Sequence, residues 1–83
     1  MKSITKDEIF LLKLFELSFA KGSAPEEIDR YVVGRAVGQN DRSVDNTVRM
    51  LAQTNFVKKG NGDALYITTQ GMSLVEELQA QRV

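Results

Sequence analysis

Apolar side chains crowd between Ile9 and Ala20, and polar residues frame that run on both sides. Thr5-Lys6-Asp7-Glu8 in front of it has a capping-box pattern, a hydroxyl residue followed three positions later by a carboxylate. Lys21-Gly22 behind it is the cation-then-glycine pair at which helices close. The pattern predicts a first helix over about residues 5–21. Around its axis Lys13, Glu16 and Ala20 share one narrow stripe. Phe10, Leu11, Leu12, Leu14, Phe15, Leu17 and Phe19 cover an apolar arc of roughly 200°, about twice what one packed face requires.

Ser23-Ala24-Pro25-Glu26-Glu27 predicts a second helix start, with proline in the first turn and acids at the positive dipole end. That helix runs on through Ile28, Tyr31 and Val32 to Ala36, weakened at Gly34. Gly38-Gln39-Asn40-Asp41 is a short turn, with Asn40 or Asp41 as the next N-cap. A third helix follows over about 42–54. Val44, Val48 and Leu51 recur at helical spacing and form its buried line, while Arg42, Asn46, Arg49 and Gln53 fall on the opposite side. Asn55 suits a left-handed C-cap. Phe56–Lys59 and Ala64–Thr68 read as two strands. Asn61-Gly62 between them predicts a type I′ hairpin turn, in which both central residues take positive φ. Thr68 or Thr69 then caps a last helix over about 69–80, carrying Met72, Leu74, Val75 and Leu78, before a polar tail from Gln79 to Val83. The pattern is α+β and mainly α: three helices, a two-stranded hairpin and a C-terminal helix in one domain over residues 1–83.

Composition narrows what such a domain does. The 83 residues carry eleven basic and eleven acidic side chains, and neither cysteine nor histidine. Disulfides, thiolate metal sites and the usual general base are therefore absent. The carboxylates of Glu26, Glu27 and Asp29 read as helix-start residues, and no glycine-rich loop is placed to cradle a phosphate. No enzymatic reaction, metal or cofactor is expected. The N-terminal segment lacks the apolar run of a signal peptide, and no stretch is apolar for the ~18 residues of a membrane span. A cytoplasmic location is the expectation. Zero net charge argues against a non-specific nucleic-acid coat. The charge is nonetheless uneven: Arg30, Arg35, Arg42, Arg49, Lys58 and Lys59 outnumber Asp41 and Asp45 over the middle third.

The order of elements resembles the winged-helix superfamily, and especially compact bacterial MarR- and PadR-like regulators. The resemblance covers about Ser23 to Leu78. Ser43-Val44-Asp45-Asn46-Thr47-Val48-Arg49-Met50-Leu51-Ala52-Gln53-Thr54-Asn55-Phe56-Val57 is similar to that family's recognition helix running into the first wing strand, with Asn55 at the usual glycine position. Tyr66-Ile67-Thr68-Thr69-Gln70-Gly71 resembles its apolar-Thr-x-x-Gly segment after the wing. In those terms the helix-turn-helix spans about 24–54 and the wing about 56–68.

The resemblance implies binding of double-stranded DNA, with the third helix in the major groove and the hairpin tip near the backbone. Arginine pairs bidentately with guanine, and asparagine or glutamine with adenine, so Arg42, Asn46, Arg49 and Gln53 are the expected base readers. Ser43 and Thr47 supply hydroxyls for phosphate or base edges, and Arg35, Lys58, Lys59 and Asn61 are expected phosphate contacts. Met50 is expected half-buried, and Tyr66 in core or rim packing. The surplus apolar arc of the first helix predicts a two-fold homodimer through Leu11, Leu14 and Phe15, if Ile28, Val48 and Leu51 take the other side. Winged helices also serve as protein-docking modules or accessory subunits without DNA, which is the competing reading.

Overall fold

The Thr5 capping box forms with both of its bonds: the Thr5 hydroxyl accepts from the Glu8 N–H at 3.1 Å, and the Glu8 carboxylate accepts from the Thr5 N–H at 2.9 Å. The computed structural model describes residues 4–81. Residues 1–3, and residues 82–83 of the polar tail, lie outside the described residues. The chain runs α1 (Lys6–Ser18), β1 (Ile28–Asp29), α2 (Arg30–Ala36), α3 (Asp41–Gln53), β2 (Val57–Lys59), β3 (Ala64–Ile67) and α4 (Thr69–Gln81). The fold is α+β and mainly helical, with a small three-stranded antiparallel sheet in the order β1-β3-β2.

Helix α1 is the central element. It packs against α2, α3, α4, β1 and β3. Phe10, Leu11 and Leu14 are fully buried and meet Val33 of α2, Val44, Val48 and Leu51 of α3, Val57, Leu65 and Ile67 of the sheet and Val75 of α4 in one core. The wide apolar arc of this helix therefore has an internal explanation. A helix enclosed by neighbours on several sides buries more than one face. This corrects the expected dimer contact, because Leu11 and Leu14 have no surface left to offer a second chain. Phe15 is partly buried and packs against Phe19 at the end of its own helix, the rings tilted by 45° with centroids 4.9 Å apart.

The second helix begins later than its sequence suggests. Residues 21–27 are irregular, and Ile28 and Asp29 pair with Leu65 and Ala64 of β3. The Glu26 N–H donates to the Ser18 carbonyl at 3.0 Å, folding this loop back on α1. Asp29 is the real N-cap, accepting from the Tyr31 N–H at 2.8 Å. Proline and acids mark a helix start locally, but the available β3 edge offers residues 28–29 a ladder no local signal encodes. Helix α2 is then seven residues long.

The connection to α3 matches its sequence reading. Gly38 takes positive φ (76°), and Asn40 caps α3 by accepting from the Ser43 N–H at 2.9 Å. Asn55, after α3, takes the left-handed conformation at φ 64°. The hairpin differs. Among the described turn residues only Gly62 has positive φ, and the Ala64 N–H donates to the Asn61 carbonyl while the Gly60 N–H donates to that of Ala64. A four-residue loop spreads the reversal over more bonds, so Asn61 avoids the strain that type I′ demands.

Beyond β3, Thr68 joins three elements. Its hydroxyl accepts from the Gly71 N–H at 3.0 Å, capping α4, and donates to the Asn55 carbonyl at 2.6 Å. This accounts physically for the Thr-x-x-Gly spacing. Among the described residues, no helix is long and apolar enough to cross a membrane.

Candidate nucleic-acid interface

Helix α3 divides sharply into an inner and an outer side. Val44, Thr47, Val48 and Leu51 are buried, while Arg42, Asn46, Arg49 and Gln53 are all exposed. At 3.6 residues per turn these four long side chains fall within a stripe about 60° wide. Exposed Met50 lies on one flank of the stripe and Asp45 on the other.

The buried side corrects one expected contact. Thr47 is 3% exposed, so its hydroxyl cannot reach a groove or a phosphate. It sits about 100° round the helix from Asn46, which turns it inward. Ser43 is half-buried at the first turn, where its N–H is taken by the Asn40 cap.

Asp45 puts a negative charge beside the stripe, and the fold compensates it. Its carboxylate accepts from the Tyr31 hydroxyl at 2.8 Å and lies 3.8 Å from the Arg30 guanidinium. Hydrogen bonding to Asp45 raises the Tyr31 pKa above its ordinary 10.0. Desolvation and the charges of Asp45 and Asp63 add to the rise, and Arg30 opposes it. Arg30 is committed to this clasp. Its side chain is only 12% exposed, and its Nε donates to the Asp63 carbonyl at 3.2 Å. It does not belong to the accessible basic surface.

The remaining expected cations are exposed: Arg35 in the last turn of α2, and Lys58 and Lys59 on β2. Consecutive strand residues point to opposite faces, so the two lysines are not one patch. Lys58 stands opposite Tyr66 across the ladder and Lys59 opposite Leu65. Tyr66 is exposed, and its phenol is also held above its ordinary pKa, chiefly by hydrogen bonding toward Glu27 and then by that carboxylate's charge. The contact is loose, since Glu27 Oε2 itself makes no bond of normal geometry. Asn61 is exposed in the hairpin loop.

Two features of the site carry no signal in the chain. The Tyr31–Asp45–Arg30 clasp joins α2 to α3 across fourteen or more positions. Gly34 is a contact residue: a methyl group there would lie 2.2 Å from Val44 Cγ2, so its lack of a side chain permits the approach of α2 to α3. Among the described residues, no three histidine, cysteine or acidic side chains stand close enough to hold a metal ion. Comparison with family models, curated proteins and solved structures gives no match to this chain.

Proposed function

We propose that this chain is a winged helix-turn-helix module that binds double-stranded DNA sequence-specifically, as a small transcriptional regulator. Helix α3 is the recognition helix, and the β2–β3 hairpin is the wing. The observation that carries the reading is the α3 stripe: Arg42, Asn46, Arg49 and Gln53 exposed together on a helix joined to α2 by a short turn. A B-DNA major groove admits one helix, and these side-chain types match guanine and adenine edges. Tyr31 and Arg30 draw the Asp45 carboxylate toward α2, which lessens its repulsion of phosphate. Arg35 and Lys58 or Lys59 then supply charge to the flanking backbone.

With no net charge on the whole chain, affinity has to come from this local surface, so binding is salt-sensitive. Selection from a random DNA pool, followed by titration against salt, tests the reading. Arg42→Ala or Arg49→Ala is expected to cost about 1–3 kcal/mol on the selected site and to relax preference at one position. Lys58→Ala is expected to weaken all sequences alike and to reduce the salt slope by about one. No enrichment, and no binding at low salt, refutes it and leaves the same fold as a protein-docking module. Sedimentation equilibrium of the free chain and of the complex counts the copies on DNA. Any second copy has to meet the first without Leu11 and Leu14.

A further inference from the structure

Beside α3, about 140° round the helix from Asp45, the surface sinks into an open groove between the start of α1, the end of α3 and α4. Two depressions form it, of about 200 Å³ and about 370 Å³, and both are walled by Phe56 and Leu74. Met50, 53% exposed, borders the smaller one. The apolar strip is therefore Met50, Phe56 and Leu74. Among the described residues every charged side chain lining it is acidic: Asp7 and Glu8 at the α1 end and Glu77 on α4. No lysine or arginine lines either depression among the described residues, although the chain holds as many bases as acids.

We propose that this groove docks a cationic amphipathic helix of a partner protein. An apolar floor with a carboxylate-only border complements a helix that carries aliphatic anchors on one side and lysine or arginine beside them. Two depressions sharing the same walls accept successive anchors, three or four residues apart on such a helix. The groove adjoins the stripe at Met50, but none of Arg42, Asn46, Arg49 and Gln53 lines it, so this inference does not rest on the DNA reading.

The probe is a fluorescent synthetic peptide of leucine and lysine at helical spacing, about 18 residues or five turns long, titrated into the full chain by anisotropy. A matched peptide with glutamate for lysine serves as control. Saturable binding of the lysine peptide alone is expected. Backbone amide NMR shifts should concentrate at Met50, Thr54, Phe56, Ser73 and Glu77. Asp7→Asn with Glu77→Lys should weaken the peptide about tenfold or more, while Glu26→Lys, at an exposed acid that lines neither depression, leaves it unchanged. The inference is overturned by equal binding of both peptides, by shifts scattered over other acidic surface, or by equal loss in Glu26→Lys. Groove shifts that appear on concentrating the free chain also overturn it, because the occupant is then a second copy. DNA binding is measured on the same variants, so failure of one reading is seen apart from failure of the other.

Discussion

Gly34→Ala sets two measurable effects against each other. Replacing glycine by alanine inside a helix ordinarily gains about 0.8–1.0 kcal/mol. Here the new methyl carbon would stand 2.2 Å from Val44 Cγ2, well inside the ~3.5–4.0 Å optimum for a carbon pair. Val44 is fully buried, so it has no solvent side to swing into. Overpacking of this kind costs about 1–3 kcal/mol. A 2.2 Å approach to a fully buried side chain belongs in the upper part of that range, about 2–3 kcal/mol, so the clash exceeds the propensity gain and a net loss of about 1–2 kcal/mol is expected. For a domain of this size that corresponds to a fall in Tm of about 5–15 °C. Val44→Ala alone removes two methyl groups, about 0.8 kcal/mol each for transfer, plus a cavity term. In the double variant the methyl group added at position 34 enters the space Val44 has vacated. Urea denaturation of the four proteins, followed by circular dichroism, gives the coupling energy directly. It should be favourable by about 1 kcal/mol or more. A rise in Tm for Gly34→Ala alone would refute the clash, as would additivity of the two changes to within about 0.3–0.5 kcal/mol.

Other outcomes follow from the same packing. In Gly71→Ala the added carbon would meet the Phe56 carbonyl oxygen at 2.2 Å and Ile67 Cγ1 at 2.8 Å. Backbone yields less than a side chain, so its Tm should fall further than that of Gly34→Ala. Thr68→Ala removes the α4 cap and the partner of the Asn55 carbonyl, and should cost about 1 kcal/mol or more in denaturant unfolding. Tyr31 keeps its proton more tightly folded than unfolded, so its stabilisation is complete below pH 10.0 and is lost as pH climbs through the raised folded value. Thermal melts should therefore fall on the alkaline side, and Tyr31→Phe should flatten that fall in part, Tyr66 supplying the remainder. Thr47→Val should leave DNA affinity unchanged where Asn46→Ala lowers it, as gel shift can measure. An equal loss in both would contradict the inward orientation of Thr47.

The parts of the chain legible in advance are those set by near neighbours. The Thr5 box and the left-handed Asn55 follow from residue type and spacing, and the caps of α3 and α4 were narrowed to Asn40 or Asp41 and Thr68 or Thr69, of which Asn40 and Thr68 form the bonds. The outward stripe of α3 was legible for a related reason, since helical period alone separates Arg42, Asn46, Arg49 and Gln53 from Val44, Val48 and Leu51. Thr47 shows where that separation blurs. A hydroxyl reads as polar and outward by residue type, but Thr47 lies about 100° beyond Asn46, on the buried side of the helix.

The number of helices among the described residues, the N-caps of α1, α3 and α4 and the identity of the outer face of α3 were written in the order of residues, because these follow from local bonding and periodicity. Contacts between distant segments decided the rest. The pairing of Ile28 and Asp29 with β3 shortened α2, and the enclosure of α1 by its neighbours turned Leu11 and Leu14 from a surface into a core. Gly34 against Val44, and Tyr31 with Arg30 on Asp45, fixed how α2 sits on α3. An apolar arc states how much surface must leave water but not what covers it, and a backbone N–H states that it needs a partner but not which strand supplies one.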